Sequence, residues 1–263
     1  MTKGLANSKL FEKYICTNFR LSFWDRKKKQ MKNNKNKITL ADHIELDMEL
    51  LGENHIATSE DTPMHGDAFA ISREEKIKII EKDFANIMYT LGLDMTDDSL
   101  KGTPKRVAKM FVNEIFSGLF PDKAPKASTF ENKYKYSEML VEKNIVLYST
   151  CEHHFLPIVG KAHVAYISNG NVIGLSKLNR IVEFYAKRPQ VQERLNIQIV
   201  RHLQKALGTE DVACMIDAKH LCVNSRGIKD ITSSTVTAEY GGKFKEKEVK
   251  REFLDYIQME LDQ

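Results

Sequence analysis

The stretch Cys151-Glu152-His153-His154 gathers metal-binding side chains into four residues. A Cys and a His three positions apart can face one ion from a tight turn. Thiolate and imidazole donors suit zinc, which brings no redox chemistry of its own. His220-Leu221-Cys222 offers a further ligand. Read as strand, His220 and Cys222 share a face, because side chains two apart point the same way. Three protein ligands leave a fourth zinc position open, the pattern of a catalytic rather than a structural zinc. A plainer reading stays open here: Cys222 as a core residue of a buried strand, with His153 and His154 on the surface. Cys214 could close the site, but it lies eight positions before Cys222. At about 3.3 Å per residue that is about 26 Å of strand, too far to share an ion. Cys214 reads instead as a small buried hydrophobe.

A second set of residues is cationic. Ser176-Lys177 with Arg180 opens a helix, Arg226-Gly227 follows the segment carrying Cys222, and Arg106 and Lys109 sit on an earlier helix. Hydroxyl, ammonium and guanidinium groups near a helix start suit a polyphosphate. Singly, each is equally well a solvated surface charge. Gln192-Glu193 follows Arg188-Pro189. A carboxylate there can accept two hydrogen bonds from a guanine edge, or simply occupy a solvated first helical turn.

The elements that must position these residues are legible in outline. Ser72 and Glu75 have capping-box spacing, and apolar residues recur from Ile77 to Leu91 at helical period. Thr103-Pro104 announces a second helix, with Thr103 as cap, running to Gly118. Residues 119–137 read as loop. Met139 to Thr150 and Ile158 to Ile167 read as strands flanking the Cys/His cluster. Ser168 to Asn171 forms a turn. Helices are expected over Leu178 to Ala186 and Val191 to Leu207, strands over Asp211 to Val223 and Asp230 to Tyr240, and a last helix over 247–261. The order implies an α+β domain whose strands pair antiparallel across short turns.

Composition bounds the rest. With 42% apolar and 29% charged residues the chain can build a core and carries the surface of a soluble protein. Four cysteines in 263 residues are too sparse for a disulfide framework. No apolar run approaches the ~18 residues of a membrane span, and no secretory signal is visible. A reducing, cytoplasmic setting is expected. The net charge of +4 hides a split: residues 1–37 hold eleven Lys/Arg against two acids, so the remainder sums to −5. A basic arm (1–37), an acidic linker (38–71) and a catalytic domain (72–263) are the expected divisions. The arm could bind nucleic acid or an acidic surface, but a disordered extension is the preferred reading. Met31 offers an internal translation start.

Four blocks in order carry a resemblance. They are Ser149-Thr150-Cys151-Glu152-His153-His154-Phe155, Gly174-Leu175-Ser176-Lys177-Leu178-Asn179-Arg180, Arg188-Pro189-Gln190-Val191-Gln192-Glu193-Arg194-Leu195, and His220-Leu221-Cys222 with Ser225-Arg226-Gly227. Together they resemble the signature blocks of the GTP cyclohydrolase I family, over about residues 72 to 260. The resemblance implies a tunnelling fold, with an antiparallel sheet that joins its neighbours' sheets into a barrel. It also implies a decamer of two pentamers with active sites at subunit interfaces. By its motifs Cys151, His154 and Cys222 would hold one Zn2+ per subunit. His153 and His220 would act as acid and base, with Gln192 among the catalytic residues. Glu193 would anchor guanine. Ser176, Lys177, Arg180 and Arg226 would grip the triphosphate, and Arg106 and Lys109 would reach it from a neighbouring subunit.

The implied reaction opens the imidazole ring of GTP at C8 by hydrolysis and releases C8 as formate. The ribose then rearranges and recloses to 7,8-dihydroneopterin triphosphate, the entry to tetrahydrofolate and other pterins. Ser168 stands where the family often has proline, a departure confined to a turn. A nitrile reductase of the same fold, using a cysteine nucleophile, is the rival enzyme reading; the paired histidines and the intact Cys/His/Cys set argue against it.

Overall fold

The computed structural model describes residues 61–126 and 128–259. The expectations for the basic arm and for most of the acidic linker fall outside these residues.

Helix α1 (Arg73–Thr90) starts where the capping pattern places it: the Ser72 hydroxyl accepts a hydrogen bond from the Glu75 backbone N–H at 3.1 Å. Helix α2 (Thr103–Met110) packs against α1. Its N-cap is Gly102 rather than Thr103, which is already helical. The helix then widens into a π turn over Phe111–Ile115 and tightens into a 3-10 turn over Ser117–Leu119. Gly118 makes that tightening fit: its N–H donates to Lys187 O at 2.9 Å, and a Cβ there would lie 2.0 Å from Phe184 O.

The segment 119–137, read as loop, contains a short strand β1 (Thr129–Glu131). Its antiparallel partner is β4 (Asn171–Ile173), at the turn after residue 168. Three-residue strands are too short to show an alternating pattern. Among the described residues the main sheet has five strands, in the order β5 (Pro189–Gln190), β2 (Met139–Cys151), β3 (Pro157–Ile167), β6 (Val212–His220) and β7 (Thr235–Tyr240). Strands β2 and β3 form the expected hairpin. β6 pairs antiparallel with β3, and β7 with β6. The two-residue β5 runs parallel to the end of β2.

Helices α3 (Leu175–Ala186) and α4 (Gln192–Leu207) cover one face, α3 on β2 and α4 on β6 and β7. Alternate strand residues meet them: Leu147, Ile158, Val164, Tyr166 and Ile216 pack with Leu178, Ile181, Leu195, Ile199 and Leu203. Gly208 stops α4 in the left-handed conformation, φ 68°. The other face is covered only in part. There Phe253 of α6 (Lys247–Gln258) and Phe244 pack on Met139, Ala165 and Ala213. Val146 and Tyr148 stay exposed.

One expectation is corrected at the end of β6. The strand stops at His220, and Leu221–Asn224 forms a single helical turn, α5. β7 begins at Thr235 rather than at Asp230. The intervening residues are held by local bonds: the Asp230 carboxylate accepts from Thr232 N, Thr232 Oγ1 and Ser233 N, and Gly227 and Lys229 take positive φ. Such side-chain bonds compete with extension of a strand. The fold is α+β with a mainly antiparallel sheet.

Candidate metal centre and active site

β2 delivers Cys151, buried, to the mouth of a tight turn. Cys151 N–H donates to Leu156 O at 2.8 Å, and Phe155 N–H to Cys151 O at 2.9 Å. Closing so short a loop puts Phe155 at φ 51°. His154 projects from this turn, and Cys222 arrives from α5. Donor atoms of Cys151, His154 and Cys222 all lie within 4.8 Å of one another. Cys222 therefore reaches the cluster from a helical turn, not from the strand face assumed above.

The donor set fits a borderline-soft cation. Burial raises the Cys222 thiol above its ordinary pKa, and the adjacent Cys151 raises it further, with Arg226 opposing. A thiol whose ionisation is disfavoured in this way needs a cation beside it to become a thiolate ligand. Cys214 is fully buried opposite Val164 in the core beneath α4, and burial pushes its thiol well up. It remains outside the cluster, as expected.

His153 sits beside this centre. Its Nδ1 is 3.9 Å from Cys151 Sγ and its Nε2 3.9 Å from a Glu152 carboxylate oxygen. His220, the last residue of β6, faces Gln192 with Nε2 2.8 Å from Gln192 Oε1. The Gln192 amide nitrogen donates to Ile216 O at 3.1 Å and Thr235 O at 2.8 Å. Both its N–H donors are thus used, so its oxygen must accept and His220 must carry a proton on Nε2. Neutral His220 then has its lone pair on Nδ1. Burial lowers the His220 pKa, and the Glu193 carboxylate partly opposes that. Gln192 is only 2% exposed. Its place is behind the histidine, while Glu193 is exposed beside it.

The cationic residues divide. Arg226 lies close enough to bias the Cys222 thiol. Ser176 and Lys177 occupy the first turn of α3, after the N-cap Gly174. Lys177 and Arg180 line a cavity of about 370 Å3 with Lys123, Lys126 and Lys187. Lys123 and Lys126 lie in the stretch read as loop, where nothing in the sequence marked them. Arg106 and Lys109 are exposed on α2. Arg106 bonds to Thr103 Oγ1 at 2.8 Å and Ser99 O at 3.2 Å in its own segment.

Two further residues of the site were not singled out from the sequence. Arg194 of α4 donates to both carboxylate oxygens of Glu152, at 2.5 and 3.2 Å. The signal was present but quiet: a charged residue at a helix position otherwise turned inward.

Known proteins resemble this chain over most of its length. The family model described as GTP cyclohydrolase I matches residues 80–258. "GTP cyclohydrolase 1" of Flavobacterium johnsoniae is 72% identical over 210 residues, which is 80% of this chain and 94% of that protein. The protein of that name from Aeromonas salmonicida is 56% identical over 188 residues, 71% of this chain and 86% of that one. The Klebsiella pneumoniae protein is 52% identical over 206 residues, 78% and 93% of the two chains. A family match across most of the chain, and relatives this similar over nearly their whole length, establish that the chain belongs to the GTP cyclohydrolase I family.

Proposed function

We propose that this chain binds GTP and opens its imidazole ring at C8 by hydrolysis, releasing formate and forming 7,8-dihydroneopterin triphosphate, with one Zn2+ per subunit held by Cys151, His154 and Cys222. The observation that carries this reading is the convergence of those three donors within 4.8 Å, with two more histidines at hand, in a chain of this family. Bound there, zinc supplies Lewis acidity for the hydrolysis.

The chain's own residues do the rest. Glu193 accepts from the guanine edge and sets the base in register. His220, kept largely neutral by burial, and His153, beside the ligands, hold and move protons at N7 and at the water that adds to C8. Histidine suits that task because its ordinary pKa lies near neutral pH. Lys177 and Arg180 bind the triphosphate with Ser176 and Arg226, and Arg106 and Lys109 reach it from a neighbouring subunit. Two waters add, one to open the ring and one to release C8 as formate, and one water leaves when the ring recloses, so one is consumed net.

The assembly belongs to the same proposal: a tunnelling fold whose sheets join into a barrel, in a decamer of two pentamers. Support comes from β7, which among the described residues pairs with β6 on one edge alone, and from apolar side chains left exposed on and just after α1, among them Ile79, Ile87, Tyr89 and Leu91. Residues 72–263 form the catalytic domain, with the arm 1–37 and the linker 38–71 before it. No helix among the described residues is long and apolar enough to cross a membrane. The cytoplasm is the proposed setting, and tetrahydrofolate synthesis the proposed use of the product. The test is incubation of the purified protein with GTP, read as formate and as a fluorescent pterin after oxidation. Absence of both refutes the reading.

A further inference from the structure

We propose that Arg194 and Glu152 are a positioning pair for the metal turn, so that metal retention and turnover depend on an ion pair outside the ligand set. Glu152 lies between the ligand Cys151 and His153, and it is held twice. Its backbone N–H donates to Gln190 O at 3.0 Å, and its carboxylate receives both forks of the Arg194 guanidinium. Both holds come from one segment, residues 190 to 194, which also carries Gln192 against His220 and Glu193 beside it. The start of α4 therefore brackets the metal turn on one side and the second histidine on the other.

The pair is costly in a way that points to geometry rather than stability. Arg194 is 3% exposed and the Glu152 side chain 16%. Burying such charges gains little net stability over apolar side chains of the same shape, but a bidentate fork fixes a carboxylate in plane and distance. The fixed carboxylate stands 3.9 Å from His153 Nε2, while Cys151 Sγ stands 3.9 Å from His153 Nδ1. The His153 ring is thus set between a ligand atom and an oriented anion. Partners that orient the ligands and their neighbours in this way commonly control both affinity and rate at metal sites.

The inference rests on the zinc and GTP reading, and its test separates the two. The full chain is compared with Arg194→Lys, Arg194→Met and Glu152→Gln. Zinc retention is measured by competition with a chromogenic chelator, kcat and KM are measured with GTP, and folding is followed by circular dichroism. Glu152→Gln and Arg194→Met are expected to weaken zinc retention or lower kcat by about tenfold to hundredfold. KM for GTP should move far less, and Arg194→Lys should recover part of the loss. A merely structural role would lower the melting temperature without this split. Wild-type zinc retention and kcat in folded Glu152→Gln overturn the proposal. That variant keeps size and shape, so it decides the matter even where Arg194→Met does not fold. Weakened zinc retention in a protein that never turns over GTP would support the pair and overturn the function.

Discussion

At the residue scale the proposed centre divides into metal ligands and proton carriers, and substitution should separate them. Cys222→Ser is expected to lose zinc and activity together, read by metal analysis and formate release, because a hydroxyl is a poor replacement for a thiolate on zinc. His153→Ala should keep zinc and lose about 10²–10⁴-fold in kcat, the usual worth of a general acid or base. Loss of zinc from that variant would mean that His153 and His154 have been assigned in reverse. The candidate donors could be picked out by residue type and spacing, but the path of Cys222 could not. Spacing put it on a strand face, whereas Asp230 and Gly227 hold the chain in local turns and a helical turn presents the thiol. Gln192 shows the same limit. The sequence places it beside Glu193, but only the two carbonyls at Ile216 and Thr235 reveal which way its amide points.

At the element scale the sheet sets tight tolerances. Gly160 of β3 lies so close to β6 that an added Cβ would sit 2.1 Å from Asp217 O and 2.5 Å from Ala218 Cα. Gly160→Ala should destabilise the chain by about 1–3 kcal/mol, the usual cost of overpacking, measured by denaturant titration. A second element-scale prediction concerns the irregularity in β2 between Glu142 and Ile145. There Asn144 takes φ 61° and its N–H points at His163 Nδ1, 3.4 Å away. Burial lowers the His163 pKa; Lys161 and Lys143 add to this, and Asp217 opposes it. The unfolded chain therefore binds the proton more readily than the folded one. Stability from this group is full above the ordinary histidine value of 6.5 and falls as pH drops below it. His163→Gln should flatten the wild-type loss between about pH 7.5 and about pH 5.5, compared by urea melts at both values. The long elements were legible because their periodicity extends over many residues. The strands β1 and β4 were not, since three residues carry no period and their pairing spans forty residues of chain.

At the scale of the whole molecule, α1, with Leu91 just after it, leaves apolar side chains exposed, and among the described residues no strand pairs with the outer edge of β7. Light scattering is expected to report a mass near ten chains, and a stable monomer with full activity would contradict the interfacial site. Oligomeric order was not legible from any single residue. The proposed decamer rests on the four signature blocks; within one chain Lys177 and Arg180 share a cavity that Cys151, His154 and Cys222 do not line, and Arg106 turns to its own segment. Removal of residues 1–37 should leave GTP turnover unchanged, since every proposed site residue lies beyond Lys105.

The central claim, that Cys151, His154 and Cys222 hold a zinc on which opening of GTP depends, is tested most directly by formate release per GTP consumed. The measurement is made on zinc-loaded protein and on the same protein after chelation. Stoichiometric formate is expected from the loaded protein, with its loss on chelation and its return with added zinc. Formate at an undiminished rate from protein verified as metal-free, or none from protein verified as zinc-loaded, would contradict it.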